Sequence, residues 1–298
     1  MGYELVIGDR MYSSWSLRGW LLFGAFDLPV TVIANRMYQD SFQTLLRQYG
    51  PCRQVPVLRV SGADGDRLVW DTIAMAETLA EENPDAGLWP KDRALRGVAR
   101  SLVAEMHSGF GALRGECSMN LRHQWQGFAV NDGVMADLAR LDALWAYARE
   151  ASGSETPWLF GDYTIADAFF APVAGRIAGY GLPVSEMSQA YVKAQLNHPA
   201  FRQWRAMAFA ENHIQPLYEL TLNAGPWPGP ASLAAEAISD GAAENATCPF
   251  SGKPVAADSL ARLDGRIIGF CNPFCRDKSV ADALAWPEIA ALLDSRKS

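Results

Sequence analysis

Two clusters of residues in this chain have types and spacings that could do chemistry. The first is Ser13-Ser14-Trp15-Ser16-Leu17-Arg18, where a short apolar run over 3–8 hands over to a helical pattern. A helix N-terminus carries unpaired N–H groups and a partial positive charge, so a thiolate docked there is stabilised and a hydroxyl can donate to its sulfur. Lowering a thiol pKa from ~8.5 by two units needs roughly 2.7 kcal/mol of preference for the anion. One charge-assisted hydrogen bond plus the dipole end can supply that. Serine is also a common helix cap, and capping is the competing reading for Ser13 and Ser14. The second cluster is Cys248, Cys271 and Cys275, with 22 residues and then three residues between them. Clustered cysteines outside a disulfide-rich secreted scaffold point to metal or redox chemistry.

Two further segments sit where they could serve the first cluster. Gln54-Val55-Pro56-Val57 opens an apolar run. A proline there removes a ladder donor and invites a cis bond in a tight turn. That would leave the backbone of Val55 to pair with an extended peptide as an added strand. Asp71-Thr72-Ile73-Ala74-Met75 follows a strand pattern and opens a helical one. An acid and a hydroxyl at that start can hold the amine and carboxylate of a γ-glutamyl group, and they can also cap the helix.

The elements that must position these residues follow from periodicity. Strands are expected at 3–8, 30–37, 55–60 and 67–71, the last two joined by the hairpin signal Gly62-Ala63-Asp64-Gly65-Asp66. Helices are expected from Ser13 to about Asp27, at 41–49, and from Thr72 to Pro84. The order β-α-β-α-β-β-α is a thioredoxin-like α/β arrangement over 1–88. From 92 to 223 the pattern is helical, so an all-α domain is expected there. Thr164-Ile165-Ala166-Asp167 reads as a capping box, which assigns Asp167 to folding. Residues 224–245, rich in Ala, Gly and Pro, read as a linker with a short helix in the middle. Residues 246–298 read as a small α+β module, too small to bury much surface without a metal to tie it together.

Composition bounds the rest. With 49% hydrophobic and 20% charged residues among 298, a packed core is expected. A net charge of −7 and no long basic run argue against a nucleic-acid partner. No segment approaches 18 uninterrupted apolar residues and the first residues lack a signal-peptide pattern, so no membrane association and a cytoplasmic location are expected.

Together, the serine segment, the Val55-Pro56 turn and the Asp71-Thr72 pair resemble the glutathione transferase family over residues 3 to about 220. The serine-type branch that includes the zeta class is the nearest, by a Ser-Ser-Cys-Ser-Trp-Arg-Val-Arg pattern aligned with Ser13 to Trp20. The resemblance implies a thioredoxin-like domain followed by the family's helical domain. Ser13 would activate the glutathione thiol, with Ser14 beside it. Trp15, Gln54, Val55, Pro56, Asp71 and Thr72 would bind glutathione. The acceptor pocket would lie between the first helix and the helix around 105–110, with Trp15, Met106, His107, Phe110 and Arg114 as candidates. Trp15 stands at the pattern's cysteine and Trp20 at its last arginine, which weakens the case for maleylacetoacetate-type isomerisation. A homodimer acting on a small electrophile is the expectation. Two alternatives are a metal-responsive binding protein on a transferase scaffold and a glutathione-dependent isomerase or reductase.

The cysteine module resembles the treble-clef-like YHS and TRASH modules, which implies metal binding, with zinc the leading ion because thiolates favour it. Cys271 and Cys275 are expected to open a helix and share one face, with Cys248 closing the site from a turn. Asp258, Asp264, Asp277, a water or a neighbouring chain would supply a fourth ligand. Reduced cysteines packed in a small core, or a labile disulfide, are the competing reading.

Overall fold

The computed structural model describes residues 2–63 and 65–294. Asp64 of the expected hairpin turn, and the outermost residues 1 and 295–298 of the expected domains, lie outside the described residues. The chain divides into two compact units, Met1–Leu196 with Leu217–Pro228, and Asn197–Pro216 with Gly229–Ser298.

The first unit opens with the expected alternation: β1 (Gly2–Ile7), α1 (Ser14–Gly24), β2 (Thr31–Ala34), α2 (Asp40–Leu46), β3 (Val57–Ser61), β4 (Arg67–Trp70) and α3 (Thr72–Glu82). The four strands form one sheet in the order β2-β1-β3-β4. β1 runs parallel to β2 and antiparallel to β3, and β3 pairs antiparallel with β4. Leu5, Val6 and Ile7 are consecutive yet fully buried, as expected of a strand covered on both faces. Gly19 of α1 lies against Pro56, so close that a Cβ at Gly19 would come within 2.8 Å of the proline ring. This close approach sets the Val55–Pro56 peptide, which is cis, beside the helix that begins at the serines.

The helical part comprises α4 (Arg93–Ser108), α5 (Gly111–Glu116), α6 (Asp132–Ser152), α7 (Ile165–Tyr180) and α8 (Glu186–Asn197). It is not wholly helical as expected. A two-stranded ribbon joins β5 (Gln124–Gln126) to β6 (Asn223–Gly225). Gln-Trp-Gln alternates, and the ribbon turns Trp125 inward, where it is buried. Every residue of α7 is buried. The Thr164–Asp167 capping box is formed: the Thr164 N–H and hydroxyl donate to Asp167 Oδ2 at 2.9 and 3.1 Å. Asp167 Oδ1 accepts the Leu159 N–H and the Tyr191 hydroxyl at 3.3 and 3.0 Å. Burial pushes this carboxyl up to about 6 against the four donors that hold it down.

The second unit contains α9 (Pro199–Ala210), β7 (Ala235–Ile238), β8 (Leu260–Leu263), β9 (Arg266–Gly269), α10 (Pro273–Ala281) and α11 (Pro287–Asp294). Its sheet is antiparallel in the order β7-β8-β9. The core joins Ala261, Leu263, Ile268, Phe270, Trp286 and Ile289 to Ala206 of α9. Arg202 of α9 makes a bidentate pair with Asp282 at 2.9 and 2.7 Å. The short helix expected in the middle of 224–245 is the strand β7 instead. Its alanines favour helix, but pairing along β8 from Ala235↔Leu263 to Ile238↔Leu260 overrides that preference. Among the described residues, no helix is long and apolar enough to cross a membrane.

The Asp167 network yields a stability prediction. Asp167→Ala strands the donors of Leu159, Thr164 and Tyr191 in a buried site, and is expected to cost about 3 kcal/mol or more. In a domain of this size that corresponds to a fall in Tm of roughly 6–12 °C by calorimetry. Because the folded carboxyl titrates near 6 rather than 3.8, the native state holds the proton longer than the unfolded chain. The stability advantage of wild type over Asp167→Asn therefore shrinks as pH rises through that window and is level above it.

Candidate functional site

The serine segment begins α1 as expected. Ser13 is the N-cap: its Oγ accepts the Ser16 N–H at 3.2 Å and its hydroxyl donates to Ser16 Oγ at 2.8 Å. Ser16 Oγ also accepts the Gly8 N–H at 3.0 Å, tying the end of β1 to the helix. Asp9 binds the same turn. Its carbonyl accepts the N–H groups of Tyr12 and Ser13, and its Oδ2 accepts the Met37 N–H. Ser14 is half-buried on the first turn, and its Oγ accepts from Arg176 Nη2 at 3.4 Å.

The other candidates converge on the same helix end. The ladder of β3 starts at Val57, so the backbone of Val55 lies beyond the paired register. Pro56 is buried, Val55 half-buried and Gln54 exposed. Asp71 has φ of 79°, a backbone that side chains rarely adopt, and caps α3 by accepting the Ile73 N–H at 2.8 Å. Such outliers cluster at ligand clamps. The buried hydroxyl of Thr72 has no hydrogen-bond partner among the described residues. Asp71 also reaches His107: His107 Nε2 lies 3.0 Å from Asp71 Oδ2. Burial lowers the His107 pKa, Asp71 pulls against it, and Arg18 and Arg114 push it further down. Burial thus favours the neutral imidazole, whose Nε2 lies within hydrogen-bond distance of the carboxylate.

Trp15 is the centre of this group. The His107 ring meets its edge with centroids 5.0 Å apart. The guanidinium of Arg18 lies 4.7 Å and that of Arg114 5.0 Å from the Trp15 ring centroid. Arg114 is held by the carbonyls of His107 and Gly109 at 3.1 and 3.3 Å. Of the expected pocket residues, Met106 is fully enclosed and Phe110 nearly so, in a left-handed turn with φ of 59°.

Sequence reasoning placed Arg18 on the first helix without a role and missed Arg176. Arg176 of α7 donates to the Cys117 carbonyl at 2.8 Å and to Pro172 at 3.3 Å as well as to Ser14. Arg18 Nε donates to the Phe169 carbonyl at 3.1 Å, while its Nη1 is buried with no hydrogen-bond partner among the described residues. Burial lowers the Arg18 pKa to about 9, helped by repulsion from Arg176 and Arg114, and burial with repulsion from Arg114 lowers Arg176 to about 10. Both stay charged at neutral pH. Three guanidinium groups thus gather at Ser14 and Trp15, and the Asp71 carboxylate acts on Arg18 among them. The signal that could have found Arg176 is a single cation inside a helical segment otherwise without basic residues, 165–180.

In the second unit, the sulfurs of Cys248, Cys271 and Cys275 all lie within 4.8 Å of one another. Cys271 does not open the helix as expected. Asn272 is the N-cap of α10, accepting the Cys275 N–H at 2.9 Å, and Pro273 is the first helical residue, so Cys271 lies before the helix and Cys275 in its first turn. Among the described residues, no His nitrogen or carboxylate oxygen joins the three sulfurs within that distance, so Asp258, Asp264 and Asp277 do not complete the group.

No protein-family model matches this chain. A probable maleylacetoacetate isomerase of Caenorhabditis elegans is 25% identical over 177 residues, covering 59% of this chain and 79% of that protein. Among solved structures, a glutathione transferase homologue from Burkholderia gl BGR1 with bound glutathione superposes with a TM-score of 0.52 at 23% identity, covering 70% of this chain and 98% of that one. Glutathione transferase Omega 2S from Trametes versicolor, in complex with 2,4-dihydroxybenzophenone, gives a TM-score of 0.52 at 15% identity and covers 68% and 94%. This chain therefore has the glutathione transferase fold, a thioredoxin-like α/β domain followed by a helical domain.

Proposed function

We propose that this chain is a serine-type, glutathione-dependent enzyme whose thiolate attacks a small electrophile carrying a carboxylate. The observation that carries the reading is the convergence of the α1 N-terminus, the Val55–Pro56 turn and the positive-φ Asp71 cap on one place. Val55 would pair with the cysteinyl part of glutathione as an added strand, beside Gln54. Asp71 and the unpartnered Thr72 hydroxyl would take the γ-glutamyl amine and carboxylate. Ser13 Oγ already accepts the Ser16 N–H, which polarises its hydroxyl. The proton it now gives to Ser16 Oγ is the one a bound thiolate would receive. The same reading carries the expectation of a homodimer and a cytoplasmic location.

Arg18, Arg114 and Arg176 favour an anionic acceptor. Arg18 and Arg176 are buried and Arg114 half-buried, all three held by backbone carbonyls, and a planar carboxylate accepts from guanidinium groups in pairs. This supports either addition to an unsaturated acid or glutathione-assisted isomerisation of one. The resemblance in sequence to a probable maleylacetoacetate isomerase supports the second, although Trp15 replaces the cysteine of the zeta pattern.

We also read the second unit as a metal-binding module, with zinc as its ion. The observation favouring this is the approach of three thiols within 4.8 Å. Zinc content of the full chain by elemental analysis is expected to be stoichiometric and to be lost in Cys271→Ser.

Three measurements test the enzyme reading. Glutathione titrated calorimetrically should bind wild type, Ser13→Ala and Ser14→Ala, and bind Asp71→Ala at least tenfold more weakly. In Ser13→Ala the pKa of the bound thiol, read from thiolate absorbance, should rise by about one unit or more, since one unit is 1.36 kcal/mol; Ser14→Ala should move it less. The reverse order would transfer the activating role to Ser14, and no glutathione binding by folded wild type would remove the reading. For Arg176→Met, kcat/KM toward a carboxylate-bearing electrophile should fall about 10- to 100-fold more than toward a neutral one of similar size, the loss of a charged hydrogen bond being about 1.5–3 kcal/mol. Equal losses would show that Arg176 serves packing alone.

A further inference from the structure

The three cysteines of the second unit carry an inference that rests on reading them as a metal site and goes beyond it. We propose that Cys248, Cys271 and Cys275 form a three-thiolate site for Zn(II) whose fourth coordination position is open to an exogenous ligand, a small thiol by preference.

Donors gather around the sulfurs of Cys248 and Cys271. Cys248 is buried in a tight turn in which its carbonyl accepts the Gly252 N–H at 2.9 Å and its own N–H donates to Lys253 at 2.8 Å. Gly252 has φ of 67°, a backbone that suits glycine at the end of the turn. Backbone N–H groups of Cys271, Phe250 and Ser251 point at the Cys248 sulfur. The Ser251 hydroxyl and the Asn272 amide each donate to Cys271 Sγ at 3.2 Å. Cys275 stands in the first turn of α10, at the positive end of that helix. Thiols packed in an apolar core for bulk alone would not gather this many donors. Arrayed donors around grouped sulfurs are the outer shell that holds thiolates for a cation.

The charge count favours a divalent ion. Three thiolates and Zn(II) leave one negative charge. Lys278 is buried beside the group, its ammonium 3.4 Å from the Phe250 ring centroid and 3.8 Å from that of Trp286, and it acts electrostatically on Cys275. With Zn(II) bound, the group and Lys278 are neutral together. Binding releases the thiol protons and changes no oxidation state.

The open position follows from the ligand count and the exposure. Structural zinc sites are closed by four protein ligands, and sites with three keep a place for water or substrate. Here the described residues provide three. Cys248 and Cys275 are buried, whereas Cys271 is half-exposed, so the incomplete side of the group is the side facing solvent. A thiolate from solution would complete a tetrahedral four-sulfur shell, the set that zinc favours.

The test uses the full chain, stripped with a chelator under reducing conditions and reloaded with Co(II) as a spectroscopic stand-in for Zn(II). Wild type and Cys52→Ser should take up one equivalent, with the visible bands of a tetrahedral site and sulfur-to-cobalt charge transfer. Cys275→Ser should lose both, while keeping its far-ultraviolet circular dichroism. Adding 2-mercaptoethanol or glutathione to the loaded protein should shift the visible bands and raise the charge-transfer intensity by about one third, one thiolate being added to three. A loaded spectrum that neither thiol nor imidazole alters means that the protein closes the shell, which overturns the open position and leaves metal binding standing. Failure of the folded, reduced chain to bind Co(II) or Zn(II) overturns the metal reading itself.

Discussion

Helix α7 is the constraint on which the first unit depends. It is enclosed on all sides, so both of its charged residues must be satisfied inside the protein. Asp167 meets that demand with four donors that join Leu159, Thr164 and Tyr191 to the helix start. Gln195 adds a bond to the Asp167 carbonyl at 2.8 Å, which ties α8 to the same turn. Arg176, two turns and more along, spends its donors on the Cys117 and Pro172 carbonyls and on Ser14. The Phe169 carbonyl of the same helix holds Arg18. A single buried helix thus fixes two of the three guanidinium groups at the start of α1.

The electrostatics of the candidate site follow from that arrangement. The cations sit on elements far apart in sequence, and each is held by backbone carbonyls rather than by a carboxylate partner. Carbonyl dipoles orient a guanidinium without cancelling its charge, so the site keeps a positive field for an anion to enter. Trp15 stacks with Arg18 and Arg114 and meets His107 at its edge, which sets the cations in register with the serines. Asp71 faces the group through a strained backbone and keeps His107 oriented.

The second unit solves a different problem. Its strands are four residues each, and the hydrophobic core they enclose is small. Helix α9 supplements it with Ala206 and with the bidentate Arg202–Asp282 pair, in which both side chains are largely sheltered from water. The cysteine group lies at the edge of that core, where Cys248 and Cys275 are members of the apolar cluster and Cys271 packs against it. A metal there would cross-link the turn at 248–252 to the start of α10, joining parts that otherwise depend on few apolar contacts.

The sequence by itself determined what short-range hydrogen bonding and periodicity control. The order of strands and helices through 88, the cap at Ser13, the box at Thr164–Asp167, the cap at Asp71 and the meeting of three cysteines were all legible, because each rests on residues within a turn or on a spacing that admits few arrangements. Only the tertiary structure decided the rest. Arg18 and Arg114 meet at Trp15 and Arg176 meets Ser14 because three helices bring them together, and no local pattern records which carbonyls a long side chain will reach. Residues 235–238 are a strand because β8 offers them a partner, against the helical preference of their alanines. Cys271 stands outside α10 because Asn272 and Pro273 fix where that helix begins, yet its sulfur still reaches the others because the fold, and not the helix face, brings the chain around. Local rules decide which elements form. Which charges they enclose is settled by packing between distant segments, where the cost of burying an ion can be met only by groups that sequence order does not place side by side.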